Sequence, residues 1–96
     1  MCMLDRVRAK RDEVMRMAKA NKISRVLVFG SCARKEERPD SDIDFLVDFK
    51  PEATLFDHVH MRDALSELFG MKVDVVSSRG LDPYIAPYVL KEAVAL

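Results

Sequence analysis

Tryptophan is missing from the sequence, and its 96 residues hold three glycines, four prolines and two cysteines. So little glycine and proline excludes a flexible linker or a low-complexity tract. The cysteines, Cys2 and Cys32, form no CxxC pair, which speaks against a zinc site. Without a secretory leader they are expected to be reduced thiols rather than a disulfide. His58 and His60 stand two apart on an expected helix, where side chains do not face each other, so both read as surface residues. No run approaches the ~18 apolar residues of a membrane span. Residues 1–10 are charged from Asp5 onward instead of forming an apolar leader. No membrane contact is therefore expected, and the cytoplasm is the expected address. Charge of one sign is absent too: 16 basic residues balance 16 acidic ones. Proteins held to nucleic acid by phosphate contacts carry a basic excess, so direct nucleic-acid binding is not expected.

What is present is a chain 49% hydrophobic and 33% charged, the balance of a globular protein. One domain spanning residues 1–96 is expected, burying about two-thirds of the surface its unfolded form exposes. Leu4, Val7, Val14, Met15 and Ala18 make an apolar stripe and predict a first helix over residues 4–20, with Asn21 suited to a left-handed stop. Residues 25–29 read as a buried strand, broken by Gly30 and Ser31, where a short helix begins. A charged loop around Pro39 leads to a second strand over 42–49. Thr54 caps a helix over 55–69 that Gly70 ends. A third strand covers 72–76, and residues 77–80 form a loop. Asp82 and Pro83 open a last helix running to about residue 92, in which Pro87 marks a kink or a second start. Residues 93–96 are either fraying helix or a short extra strand. The order α-β-α-β-α-β-α predicts an α/β (α+β) domain, a small sheet with helices packed against it.

The chemistry is concentrated in residues 30–44. Gly30 sits where a buried strand hands over to a helix, so a phosphate can approach the backbone with no Cβ in the way. The N–H groups beginning that helix suit anions, Ser31 adds a hydroxyl, and Arg34 can fork onto a phosphate. Alone, a Gly-Ser pair is an ordinary turn. Asp42 and Asp44 alter that balance, because residues two apart on a strand point to one face. Two parallel carboxylates repel, and a hard divalent cation such as magnesium relieves the repulsion. Asp48 shares their parity but lies roughly 13 Å beyond Asp44 at ~3.3 Å per residue, out of reach of the same ion. Asp74 interrupts the branched apolar residues of the third strand, and a carboxylate buried there needs a partner. If that strand neighbours the second, Asp74 completes a cluster of three carboxylates. Such a cluster can hold two ions ~4 Å apart across an in-line phosphoryl displacement. Gly-Ser followed by ten residues and then Asp-x-Asp arises by chance in about one chain in a thousand of this length, which makes the pattern specific.

Gly-Ser-x-Ala-Arg over 30–34, with Ser-Asp-Ile-Asp-Phe-Leu-Val over 41–47, resembles the signature of the polymerase-β-like nucleotidyltransferase superfamily. The brevity of the chain resembles its minimal branch, the MNT-domain antitoxins that act beside HEPN-type toxins. That resemblance implies a nucleotidyltransferase fold, a small mixed sheet flanked by helices. Residue by residue, it implies that Gly30 and Ser31 hold the phosphates, with Arg34 and Ser41 around the triphosphate. Asp42, Asp44 and Asp74 are then the catalytic, metal-binding carboxylates. The implied ions are two Mg²⁺, for which Mn²⁺ is a substitute, and the implied reaction moves AMP from ATP to a tyrosine of the toxin. Lys35 departs from the family, which often has glycine there. The larger relatives carry an extra domain that grips the acceptor, so here the grip is expected from elsewhere. Cys32 reads as filler, residues 35–38 as a solvated face, Tyr84 and Tyr88 as packing residues, and the six methionines as an adaptable core or contact face. The rival reading is an antitoxin that silences its partner by binding alone. A transferase acting on a small molecule is a third. Three converging acids favour the enzyme.

Overall fold

In the apolar stripe of the first helical segment, one step is missing. The positions three and four after Val7 are Lys10 and Arg11, both charged, and the chain breaks there rather than bury them. A computed structural model, which describes residues 3–33 and 42–96 (for Ser31 and Cys32 the backbone alone), accordingly shows two helices, α1 (Met3–Ala9) and α2 (Arg11–Ala20), where one was expected. The Lys10 N–H closes α1 on Val7 O at 3.1 Å, and Lys10 O accepts from Val14 N at 3.0 Å to open α2. Leu4, Val7, Val14 and Ala18 are buried as the stripe requires. Asn21 does not take the left-handed turn. Its side-chain amide donates to Met17 O at 2.8 Å, and Lys22 adopts the positive φ of 59° instead.

The remaining elements are β1 (Ile23–Phe29), α3 (Gly30–Ala33), β2 (Ile43–Phe49), α4 (Leu55–Phe69), β3 (Val73–Ser77), a 3₁₀ turn at Ser78–Gly80, α5 (Ala86–Glu92) and β4 (Val94–Ala95). The four strands form one mixed sheet in the order β3-β2-β1-β4. β1 runs antiparallel to both β2 and β4, whereas β2 and β3 are parallel. Parallel neighbours need a crossover, and α4 supplies it. Gly70, at φ 64°, ends α4 as its composition predicts. The last helix does not open at Asp82 and Pro83, where residues 83–85 form a turn; α5 begins at Ala86 with Pro87 in its first turn, so that proline starts the helix instead of kinking it. The final residues pair with β1 as an extra strand, with Leu27 opposite Ala95 and Val28 opposite Val94.

Alternation along the strands divides the sheet into two unlike faces. Ile43, Phe45 and Val47, with Val26, Val28, Val73 and Val75, turn toward α1, α2 and α4 and build the core with Met61, Leu65 and Phe69. Phe45 stacks on Phe69 with centroids 6.2 Å apart. Fully burying such a side chain is worth about 1.5–3 kcal/mol, so this face dominates the stability. The opposite face carries Leu27 and Leu46, buried but outside that cluster, where β1 meets α5 and β2 meets the 3₁₀ turn. Among the described residues no helix is long and apolar enough to cross a membrane.

Candidate active site

The same alternation that buries Ile43 and Phe45 turns Asp44 to the opposite face. In the parallel pairing of β2 with β3, Asp44 lies directly opposite Asp74, one step from the buried pair of Ile43 and Val73. On its other side Asp44 faces Phe29, the last residue of β1. Strands in a sheet lie about 4.8 Å apart, so the two aspartates, both half-buried, stand side by side. Asp74 is flanked in sequence by the buried Val73 and Val75, which anchor its strand.

Gly30 follows Phe29 at a φ of +74°, a conformation that L side chains rarely adopt. A Cβ built on it would stand 2.5 Å from Asp44 Oδ2 and 3.4 Å from its Cγ. Any other residue would occupy the space in which the carboxylate lies. Beyond the phosphate approach expected from the sequence, the glycine thus leaves room for the acid itself. The Ser31 backbone continues into α3, so the N–H groups that begin this element stand beside Gly30 as anion donors. The Ser31 and Cys32 side chains, Cys2, Arg34, Ser41 and residues 35–40 lie outside the described residues.

Asp42, half-buried just before β2, has its Oδ2 3.4 Å from Lys72 Nζ. The backbones are tied at the same level, where the Ile43 N–H donates to Lys72 O at 3.3 Å. Among the described residues no three His, Cys, Asp or Glu side chains already gather as an ion site. What the fold brings together is Asp44 with Asp74, while Asp42 is turned to a lysine. Two adjacent hard oxygen donors with a Cβ-free backbone against one of them fit a divalent cation held with substrate phosphates. Asp48 is committed elsewhere, accepting from Arg25 Nε at 2.7 Å. His58 is not a surface residue: it is half-buried, its Nε2 lies 2.7 Å from Val75 O, and its ring lies 5.3 Å from that of Phe49. That contact makes Nε2 the donor, so His58 fastens α4 to β3. Tyr84 and Tyr88 do not pack either, being 87% and 73% exposed.

Two features escaped sequence reasoning. One is Lys72, which stands two before Asp74 as Asp42 stands two before Asp44. That symmetry carries meaning only once the strands are known to be paired. The other is a cleft of about 210 Å³ at the β3 edge, lined by Arg62, Asp63, Ser66, Lys72, Val73 and Asp74. It joins the exposed side of α4 to the strand bearing the third acid.

A family model described as a nucleotidyltransferase domain matches residues 8–96. The chain is 42% identical over 67 residues to the protein adenylyltransferase MntA of Thermococcus cleftensis, an alignment covering 70% of this chain and 68% of that one. A solved structure of a candidate minimal nucleotidyltransferase superposes with a TM-score of 0.89 at 46% identity, covering 100% of this chain and 97% of the other. A chain from the complex of a tri-AMPylated HEPN toxin of Shewanella oneidensis with its MNT antitoxin superposes with a TM-score of 0.68. At 17% identity, over 92% of this chain and 69% of that one, the likeness is one of fold.

Proposed function

Because this chain belongs to the nucleotidyltransferase domain family, we propose that it transfers AMP from ATP to a hydroxyl on a partner protein of the HEPN toxin type, with divalent metal, and so acts as an antitoxin. The observation that carries this reading is the register of Asp44 against Asp74 beside a glycine with no room for a Cβ. The name of the Thermococcus cleftensis relative and the modified toxin in the Shewanella oneidensis complex support the acceptor and the group transferred.

The reaction forms a bond between the acceptor oxygen and the α-phosphorus of ATP and breaks the bond to the β-phosphate, releasing pyrophosphate. Gly30 and Ser31 offer backbone N–H groups to the triphosphate, and the family resemblance assigns Arg34 and Ser41 to its binding. Asp42, Asp44 and Asp74 would hold Mg²⁺ or Mn²⁺, which when bound supplies charge neutralisation at the phosphates. Asp74, on the strand that borders the cleft, receives the proton of the incoming hydroxyl. Paired with Phe29 on one side and Asp74 on the other, the Asp44 backbone is fixed in the middle of the sheet.

The test is single-turnover transfer of labelled nucleotide to a candidate helical partner at saturating Mg-ATP. Asp44→Asn is expected to keep fold and partner binding while abolishing transfer. Asp74→Asn is expected to slow the chemical step by at least tenfold and spare nucleotide affinity, since general-base assistance is worth ~10²–10⁴-fold. If Asp44→Asn still protects cells from the partner as well as the parent does, neutralisation is by binding alone. Full transfer by that variant removes the catalytic assignment.

A further inference from the structure

A cation stands beside the acids of the candidate site. Lys72 begins the approach to β3 at the level where Asp42 begins the approach to β2, and their charged groups lie 3.4 Å apart. The lysine side chain is 76% exposed and the carboxylate 31%, so the ammonium stands in water against a half-buried acid and is free to leave it. Lys72 also lines the cleft that reaches Asp74. We propose that Lys72 is a tethered counter-cation for the site: it holds Asp42 while no ion is bound and turns to the triphosphate when metal and nucleotide enter together. This rests on reading Asp42, Asp44 and Asp74 as the metal ligands.

The two halves of that role have opposite signs. A bare divalent ion must take Asp42 from the ammonium and then leave two cations close together, so Lys72 opposes it. A metal–triphosphate complex carries net negative charge, so the freed ammonium, on a flexible four-carbon stem, gains a phosphate partner in place of the carboxylate. Lys72 thereby couples the ion to the nucleotide, disfavouring metal alone and favouring the pair. A surface ion pair that merely steadied the β2–β3 register would produce no such reversal.

The measurement is Mn²⁺ affinity of the whole chain, read from free-ion electron paramagnetic resonance, with and without a non-hydrolysable ATP analogue. Lys72→Gln removes the charge, Lys72→Arg keeps it, and Asp44→Asn reports on the site itself. In Lys72→Gln, Mn²⁺ alone is expected to bind about three- to fivefold more tightly, the scale of an exposed ion pair. Mn²⁺ with the analogue is expected to bind more weakly by a similar factor, and Lys72→Arg to follow the parent in both arms. A Lys72→Gln variant that shifts both arms in one direction, or neither, overturns the inference while leaving the acids as ligands, provided Asp44→Asn abolishes Mn²⁺ uptake. Failure of the parent to take up Mn²⁺, or uptake that survives Asp44→Asn, overturns the ligand reading and this inference with it.

Discussion

Gly30 is the residue at which backbone and chemistry meet. Its φ of +74° would cost an L-residue about 1–2 kcal/mol, and the added Cβ would fall 2.5 Å from Asp44 Oδ2. Gly30→Ala is therefore expected to lose about that much stability and to displace the carboxylate. Urea melts with and without Mn-ATP read both effects, the second as lost stabilisation by the ligand. A Gly30→Ala chain with the parent's midpoint in both conditions would refute this account. The sequence marked Gly30 correctly as a special backbone position, from its place between a strand and a helix. That its space is taken by Asp44, fourteen residues on, could not be read locally, because the contact exists only after β1 and β2 have paired.

At the scale of elements, α4 shows what local pattern specifies. Thr54, the buried series Met61, Leu65 and Phe69, and Gly70 delimit the helix from its own sequence. The cap is closed by Asp57, whose Oδ2 accepts from the Thr54 N–H at 2.8 Å and lies 3.4 Å from Lys22 Nζ. The Thr54 backbone N–H, and after it the Lys22 ammonium, hold the Asp57 carboxyl below its ordinary value of 3.8, against the opposing effect of burial. A carboxyl depressed in the folded state stabilises the fold above its unfolded value, and that contribution is lost as pH falls through the folded one. The stability gap between the parent and Asp57→Asn is thus expected to be full near neutrality and to shrink below about pH 4. Denaturant melts across pH 2–7 check this, and a gap independent of pH would remove the ionised cap from the account. Lys22 in this role was not legible. It belongs to the turn after α2, and only the packing of α2 beside α4 brings it near.

At the scale of the molecule, one sheet face is a sealed core and the other carries the acids. If the acids serve metal and nucleotide together, ATP is expected to raise the melting temperature only in the presence of Mg²⁺ or Mn²⁺. Bare triphosphate would meet the charge of Asp42 and Asp44. A hundredfold excess over the dissociation constant contributes about 2.7 kcal/mol, roughly 10 °C or more for a chain of this size. Equal shifts with and without chelator would take the metal out of the argument.

The sequence by itself determined the order of strands and helices around the site, the place of Asp44 on a strand between buried Ile43 and Phe45, and the glycine turn before it. Each follows from a period or a steric rule acting over a few residues. Only the tertiary structure decided that β3 lies parallel beside β2 with Asp74 opposite Asp44, that Lys72 reaches Asp42, that the last residues join β1, and that Tyr84 and Tyr88 stay in solvent. Those outcomes depend on which apolar faces bury one another across thirty or more residues. No local pattern encodes that choice, because it is settled by the packing of the whole core.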